Sequence, residues 1–137
     1  MRRAVVTDEN KHADAIEALY ATAHWLLDQG RPDDAAGVLR LMLLAAPRDG
    51  RAWLALGACH EKKKQPKLAL ELYWTGRLVA ERPARCALAR ARLLRRLGDD
   101  DDADEALLDA RALAEAAGDA VEQDLVRSVA GGASWTA

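Results

Sequence analysis

The apolar positions of this chain repeat at long range. Ala35, Ala69 and Ala103 are separated by 34 residues and again by 34, and the same step relates Ala23, Gly57 and Ala91. These are small residues, as closely approaching helices require. Leu39, Tyr73 and Leu107 recur at the same step as large residues that fill the space beside them. Turn residues keep the period too, with Gly30 matched to Gly98 and Pro32 to Pro66. The pattern predicts helical hairpins over 16–49, 50–83 and 84–117 within one domain, 1–137.

The turns follow from backbone chemistry. Gly30 and Gly98 sit where a left-handed residue closes a first helix without a Cβ penalty, and Pro32 and Pro66 open second helices where a missing N–H costs nothing. Lys64 stands where the middle repeat should carry Gly, which implies a strained turn or a differently built one. Residues 119–130, with Val121, Leu125, Val126 and Val129 on one face and Gly131-Gly132 as the stop, predict a capping helix. Residues 1 to about 8 and 133–137 are expected to be loose, with Trp135 either unpacked in the tail or docked onto a surface.

In the middle repeat Trp53, Leu56, Gly57, His60, Ala69 and Tyr73 match the tetratricopeptide pattern, with His60 in a Tyr position. Leu19, Ala23, Leu26, Gly30, Ala35, Leu39 and Pro47 answer to it in the first repeat, and Ala91, Leu94, Gly98, Ala103, Leu107 and Ala110 in the third. Arg90 takes a Leu position there, so the third is the degenerate copy. The implied fold is all-α: three tetratricopeptide hairpins in a right-handed superhelix with a C-terminal capping helix.

Composition agrees. Half the residues are apolar, yet there are only four Trp, two Tyr and no Phe, so Ala and Leu carry the share and favour helix. The first residues run at once into Thr7-Asp8-Glu9-Asn10 without an apolar signal core, and the run Leu41 to Ala46 is far below the roughly 20 residues of a bilayer span. A cytoplasmic protein without membrane insertion is expected. Cys59 and Cys86 read as small buried residues rather than a bridge.

Candidate chemistry is sparse. His12, His24 and His60 fall on separate elements or turns, and no nucleophile, phosphate-cradle or metal-ligand spacing is present, so neither an enzyme nor a metal or cofactor is expected. The acidic run Asp99 to Glu105 lacks the features of a calcium loop and suits the start of a helix. Net charge is −2 but segregated: residues 60–97 hold eleven Lys/Arg against three acids, and 98–124 hold eleven acids against one Arg. The two blocks are expected to neutralise one another in the stack, and with few aromatics for base stacking no nucleic-acid partner is read.

The likeness to tetratricopeptide arrays implies that the first helix of each repeat lines a concave groove. The corresponding positions are Glu17, Tyr20, His24, Leu27 and Asp28; Arg51, Leu54, Ala58, Glu61 and Lys62; and Arg85, Leu88, Arg92, Arg95 and Arg96. Tyr20, His24 and Leu27 share a helix face and offer a pocket for a peptide side chain, or else pack against the N-terminal segment. Arg85, Arg92 and Arg96 form a row that either clamps peptide carbonyls and acids or is simply solvated.

The stretches Leu19-Tyr20-x-x-Ala23, Gly30-x-x-x-Asp34-Ala35, Trp53-Leu54-x-Leu56-Gly57-Ala58-Cys59 and Ala69-Leu70-x-x-Tyr73-x-x-Gly76 resemble the class II chaperones of type III secretion systems. Arg82-Pro83-Ala84-Arg85 adds to the likeness. The resemblance implies a bacterial cytoplasmic chaperone, often a homodimer, that holds an extended segment of a hydrophobic translocator in its groove before secretion. Some such proteins also partner transcriptional regulators. A tetratricopeptide adapter subunit, or a co-chaperone of the needle subunit, are the alternatives.

Overall fold

A computed structural model describes residues 7–131, which form α1 (Asp8–Asp28), α2 (Pro32–Ala45), α3 (Gly50–Lys62), α4 (Pro66–Val79), α5 (Ala84–Arg96), α6 (Asp100–Ala117) and α7 (Ala120–Gly131). Each helix packs on the next in chain order, while α1 also meets α3, α3 meets α5 and α5 meets α7. The odd-numbered helices therefore share one side of a two-layer stack. This is the all-α, three-hairpin architecture with a final helix over the end.

The period of 34 has a direct packing meaning. Ala23, Ala35, Ala69, Ala91 and Ala103 are all fully buried, and Leu39 and Tyr73 fill the space between helices beside them. At Gly57 the approach is closest: a Cβ there would lie 2.2 Å from Cε1 of Tyr73. The Tyr73 hydroxyl donates to Glu61, whose other carboxylate oxygen accepts from Arg96, so one cluster ties α3, α4 and α5. Burial and the adjacent carboxylate push the Tyr73 hydroxyl well above the usual phenol range.

The three hairpin turns are one structure. Gly30, Lys64 and Gly98 have φ of 71°, 58° and 85°, and each turn closes with the same pair of backbone bonds. The N–H groups of Arg31, Gln65 and Asp99 donate to the carbonyls of Leu26, His60 and Leu94 at 2.9–3.0 Å, the outer bond of a Schellman motif. Lys64 thus carries a left-handed strain of roughly 1 kcal/mol rather than rebuilding the turn. His60, buried beside that turn, donates from Nδ1 to Gln65 Oε1 at 2.7 Å. Cys59 and Cys86 are free and buried, and burial alone pushes the Cys86 thiol up to about 12.

The first and last helices differ from the sequence expectation. Thr7 caps α1 by accepting from the N–H of Asn10 at 3.2 Å, so the first helix begins eight residues before the first repeat was expected to. In α7, Val121 is 65% exposed, and Glu122 shares the buried stripe with Val126 and Val129. Trp135 lies outside the described residues. Among the described residues, no helix is long and apolar enough to cross a membrane.

The charge blocks pair across helices. Arg77 of α4 makes a bidentate contact to Asp109 of α6 at 2.8–2.9 Å, and Arg95 meets Asp100 and Asp104, while Lys63 of the basic block pairs outside both blocks with Asp33 of α2 at 2.6 Å. Arg90, at its unusual repeat position, lies 5.1 Å over the Trp74 ring. The run from Asp99 forms the N-terminal turns of α6, where the helix dipole favours negative charge.

Candidate functional site

A cleft of about 920 Å³ opens on the side formed by the odd-numbered helices. One wall is α1, with His12, Tyr20 and His24; the floor is the turn from Ala45 to Gly50 with Arg51, Leu54 and Ala55 of α3; Glu81, Arg82, Arg85 and Glu122 close the far side. That size suits a few side chains of one extended segment.

Sequence chemistry next to the cleft sets its shape. Pro47 follows α2, and the indole N–H of Trp53 donates to its carbonyl at 2.8 Å, so the repeat's Trp anchors the turn before it. The N–H of Glu81 donates to the carbonyl of Arg48 at 3.0 Å, joining this turn to the one between α4 and α5. Two consecutive loops thereby run continuously from the floor to the far side.

Arg51 organises the α1 wall. Its guanidinium donates to Asp49 at 2.7 and 3.0 Å and to both carboxylate oxygens of Glu17, 34 residues earlier, at 2.7 and 3.1 Å. It also lies 4.6 Å over the ring of Tyr20, which meets His24 edge-on at 4.5 Å. Hydrogen bonds from Arg51 hold the carboxyls of Asp49 and Glu17 below their usual range, and the two acids raise the guanidinium in turn. The aromatic pair is presented on a braced support.

Of the fifteen groove positions read from the sequence, Tyr20, His24, Arg51, Leu54 and Arg85 line this cleft. The others do not. Leu27 is half-buried against the first core cluster, and Ala58 is half-buried away from the cleft. Glu61 is bound to Tyr73 and Arg96, which also removes Arg96 from the proposed arginine row. Leu88 is 2% exposed, packed with Val126 and Val129, because α7 covers this part of α5 as a further first helix would. Arg92 is half-buried, and Arg95 folds back onto the start of α6. The cleft is therefore shorter than three full repeats.

Three contributors were not foreseen. His12 shares α1 with His24 rather than lying on a separate element; the cue was Thr7 followed by two acids, a helix start. The loop floor comes from turns whose meeting depends on the superhelix. Glu122 was hidden because its apolar neighbours were assigned to a face that included Val121, whereas spacing from Glu122 to Val126 and Val129 gives the stripe the structure uses.

Residues 16–59 match the tetratricopeptide repeat family model. Among solved structures, the chain is similar to the type III secretion translocator chaperone SycD of Yersinia enterocolitica, with 27% identity over 86% of this chain and 87% of that one, at a TM-score of 0.75. It is similar also to PcrH, a protein of Pseudomonas aeruginosa, in its complex with the chaperone binding region of PopD, with 28% identity over 93% of this chain and 92% of that one, at a TM-score of 0.68. A stretch of 70 residues, 51% of this chain, is 44% identical to a cell division cycle protein 27 homolog of Caenorhabditis elegans. The match spans only 8% of that relative's length. The fold is thus a tetratricopeptide array, and the resemblance to translocator chaperones holds in both sequence and structure.

Proposed function

We propose that this chain is a cytoplasmic bacterial chaperone whose inner cleft holds an extended segment of a hydrophobic type III translocator until secretion. The observation that carries the reading is the cleft itself, seated on the odd-helix face of a fold shared with PcrH, which has been solved with the chaperone binding regions of PopD and of PopB. Residues 1–137 act as one unit, and the work done is binding, without catalysis. Tyr20 and Leu54 supply the apolar anchors, with His24 edge-on to Tyr20, Arg51 bracing Tyr20 and Arg85 at the rim. Membrane-inserting segments would aggregate in water, and covering one stretch removes part of that exposed surface. A homodimer accords with the resemblance.

The test is co-expression with the hydrophobic secreted protein encoded nearest this chain's gene, followed by light scattering on the size-exclusion peak. A defined soluble complex is expected, with the client insoluble alone. Tyr20→Ala combined with Leu54→Glu should abolish the complex while helix content stays intact. A client that remains insoluble overturns the translocator reading and favours the adapter or needle-subunit roles.

A further inference from the structure

Glu122 is an unusual residue to find in a helix interface. It is 3% exposed, Oε2 has no hydrogen-bond partner, and Oε1 lies 3.8 Å from Nε of Arg85, beyond hydrogen-bond reach. A buried carboxylate left in this state is costly, and replacement by an apolar residue would remove the cost. Local structure offers no reason for it. The spacing Asp119-x-x-Glu122 is that of a capping box, and Asp119 does cap α7 through the N–H groups of Val121 and Glu122 at 2.9 and 3.2 Å. The glutamate does not complete the box, since it lines the cleft instead.

The groups around it narrow the ligand. Arg82, the other cation on this side, is held by Asp119 at 3.3 Å, which leaves Arg85, half-exposed, as the cation facing Glu122. An acceptor and a donor therefore stand side by side with near-cancelling charge. A ligand cation would meet Arg85, and a ligand anion would meet Glu122. An amide suits both, its N–H donating to Glu122 and its carbonyl accepting from Arg85.

We infer that Glu122 and Arg85 form an amide clamp at the α7 end of the cleft, which fixes the register of a bound segment through one amide group, either of its backbone or of an Asn or Gln side chain. The inference rests on the reading of the cleft as a peptide groove. Within that reading it gives α7 a recognition role besides capping.

The probe is a random dodecapeptide library displayed on phage, selected on the purified chain, with the best peptide then synthesised. Binding that is lost in Leu54→Glu places the peptide in the cleft. Glu122→Leu should weaken it roughly 10- to 100-fold, and Glu122→Gln, which keeps an acceptor oxygen, by no more than about threefold. The thermal midpoint of Glu122→Leu should rise, and weaker binding in a more stable protein is a combination that a purely structural glutamate cannot produce. N-methylation at one peptide position, or replacement of one Asn or Gln by Leu, should weaken binding to the wild type and not to Glu122→Leu, and so identify the amide as backbone or side chain. Peptides that bind Glu122→Leu as tightly as wild type overturn the clamp and leave the groove standing. A library that yields no cleft-binding peptide overturns both.

Discussion

The two walls of the cleft are built in opposite ways. On the α1 side Arg51 is bound by two carboxylates and covers Tyr20, so its charge is matched within the fold. On the α5 and α7 side Arg85 and Glu122 face each other without a hydrogen bond, and one carboxylate oxygen has no partner. A satisfied wall resists deformation and presents a fixed surface; an unsatisfied one keeps binding capacity in reserve. The cleft therefore has one end braced by an ion-pair cluster and another whose carboxylate keeps an open oxygen.

Both walls depend on the join between α3, α4 and α5, and the largest effect should come from breaking it. Gly57→Ala drives a Cβ into the buried Tyr73 ring, which is held by its hydroxyl and cannot swing away. A loss of about 3 kcal/mol is expected in urea unfolding. Stability left within about 0.5 kcal/mol of wild type would show that the ring has room to shift.

A paired comparison separates the walls directly. Arg51→Met should cost about 1–2 kcal/mol, because it leaves Asp49 and Glu17 facing each other and frees Tyr20, with partial exposure limiting the loss. Arg85→Met, at a half-exposed residue outside hydrogen-bond reach of Glu122, should cost less than about 0.5 kcal/mol while weakening peptide binding. Equal costs would remove the distinction between a braced wall and an open one.

The smallest effect is a pH dependence confined to the braced side. Arg51 depresses the folded-state values of Asp49 and Glu17, so their contribution is complete above the ordinary carboxylate values of 3.8 and 4.5 and is lost as pH falls through the depressed ones. The stability difference between wild type and Arg51→Met should be flat from about pH 7 down to about pH 5 and should shrink below about pH 4. A difference that grows on acidification would reverse the sign of this linkage.

Much of this molecule can be read along the chain. The step of 34 predicts the hairpins because the same small and large residues return where helices cross, and Gly30, Gly98, Pro32 and Pro66 mark the turns. The site was legible in part. Tyr20, His24, Arg51, Leu54 and Arg85 reach the cleft because a repeat position specifies which side of a helix a residue takes. Leu88 occupies an equivalent position and is buried, since repeat position says nothing about what lies beyond the last repeat.

Local rules govern backbone conformation and helix face, and these act between residues a few positions apart. They determined the helices, the turn geometry that even Lys64 adopts, and the stacking that follows from it. Which side chains find partners is decided over distances that no local pattern contains. Arg51 is satisfied because Glu17, a full repeat away, is brought within 2.7 Å, whereas Glu122 remains open because α7 settles where its carboxylate stops short of Arg85. Hydrogen bonding requires atoms to meet within a few tenths of an ångström, and only the packed structure sets positions that finely.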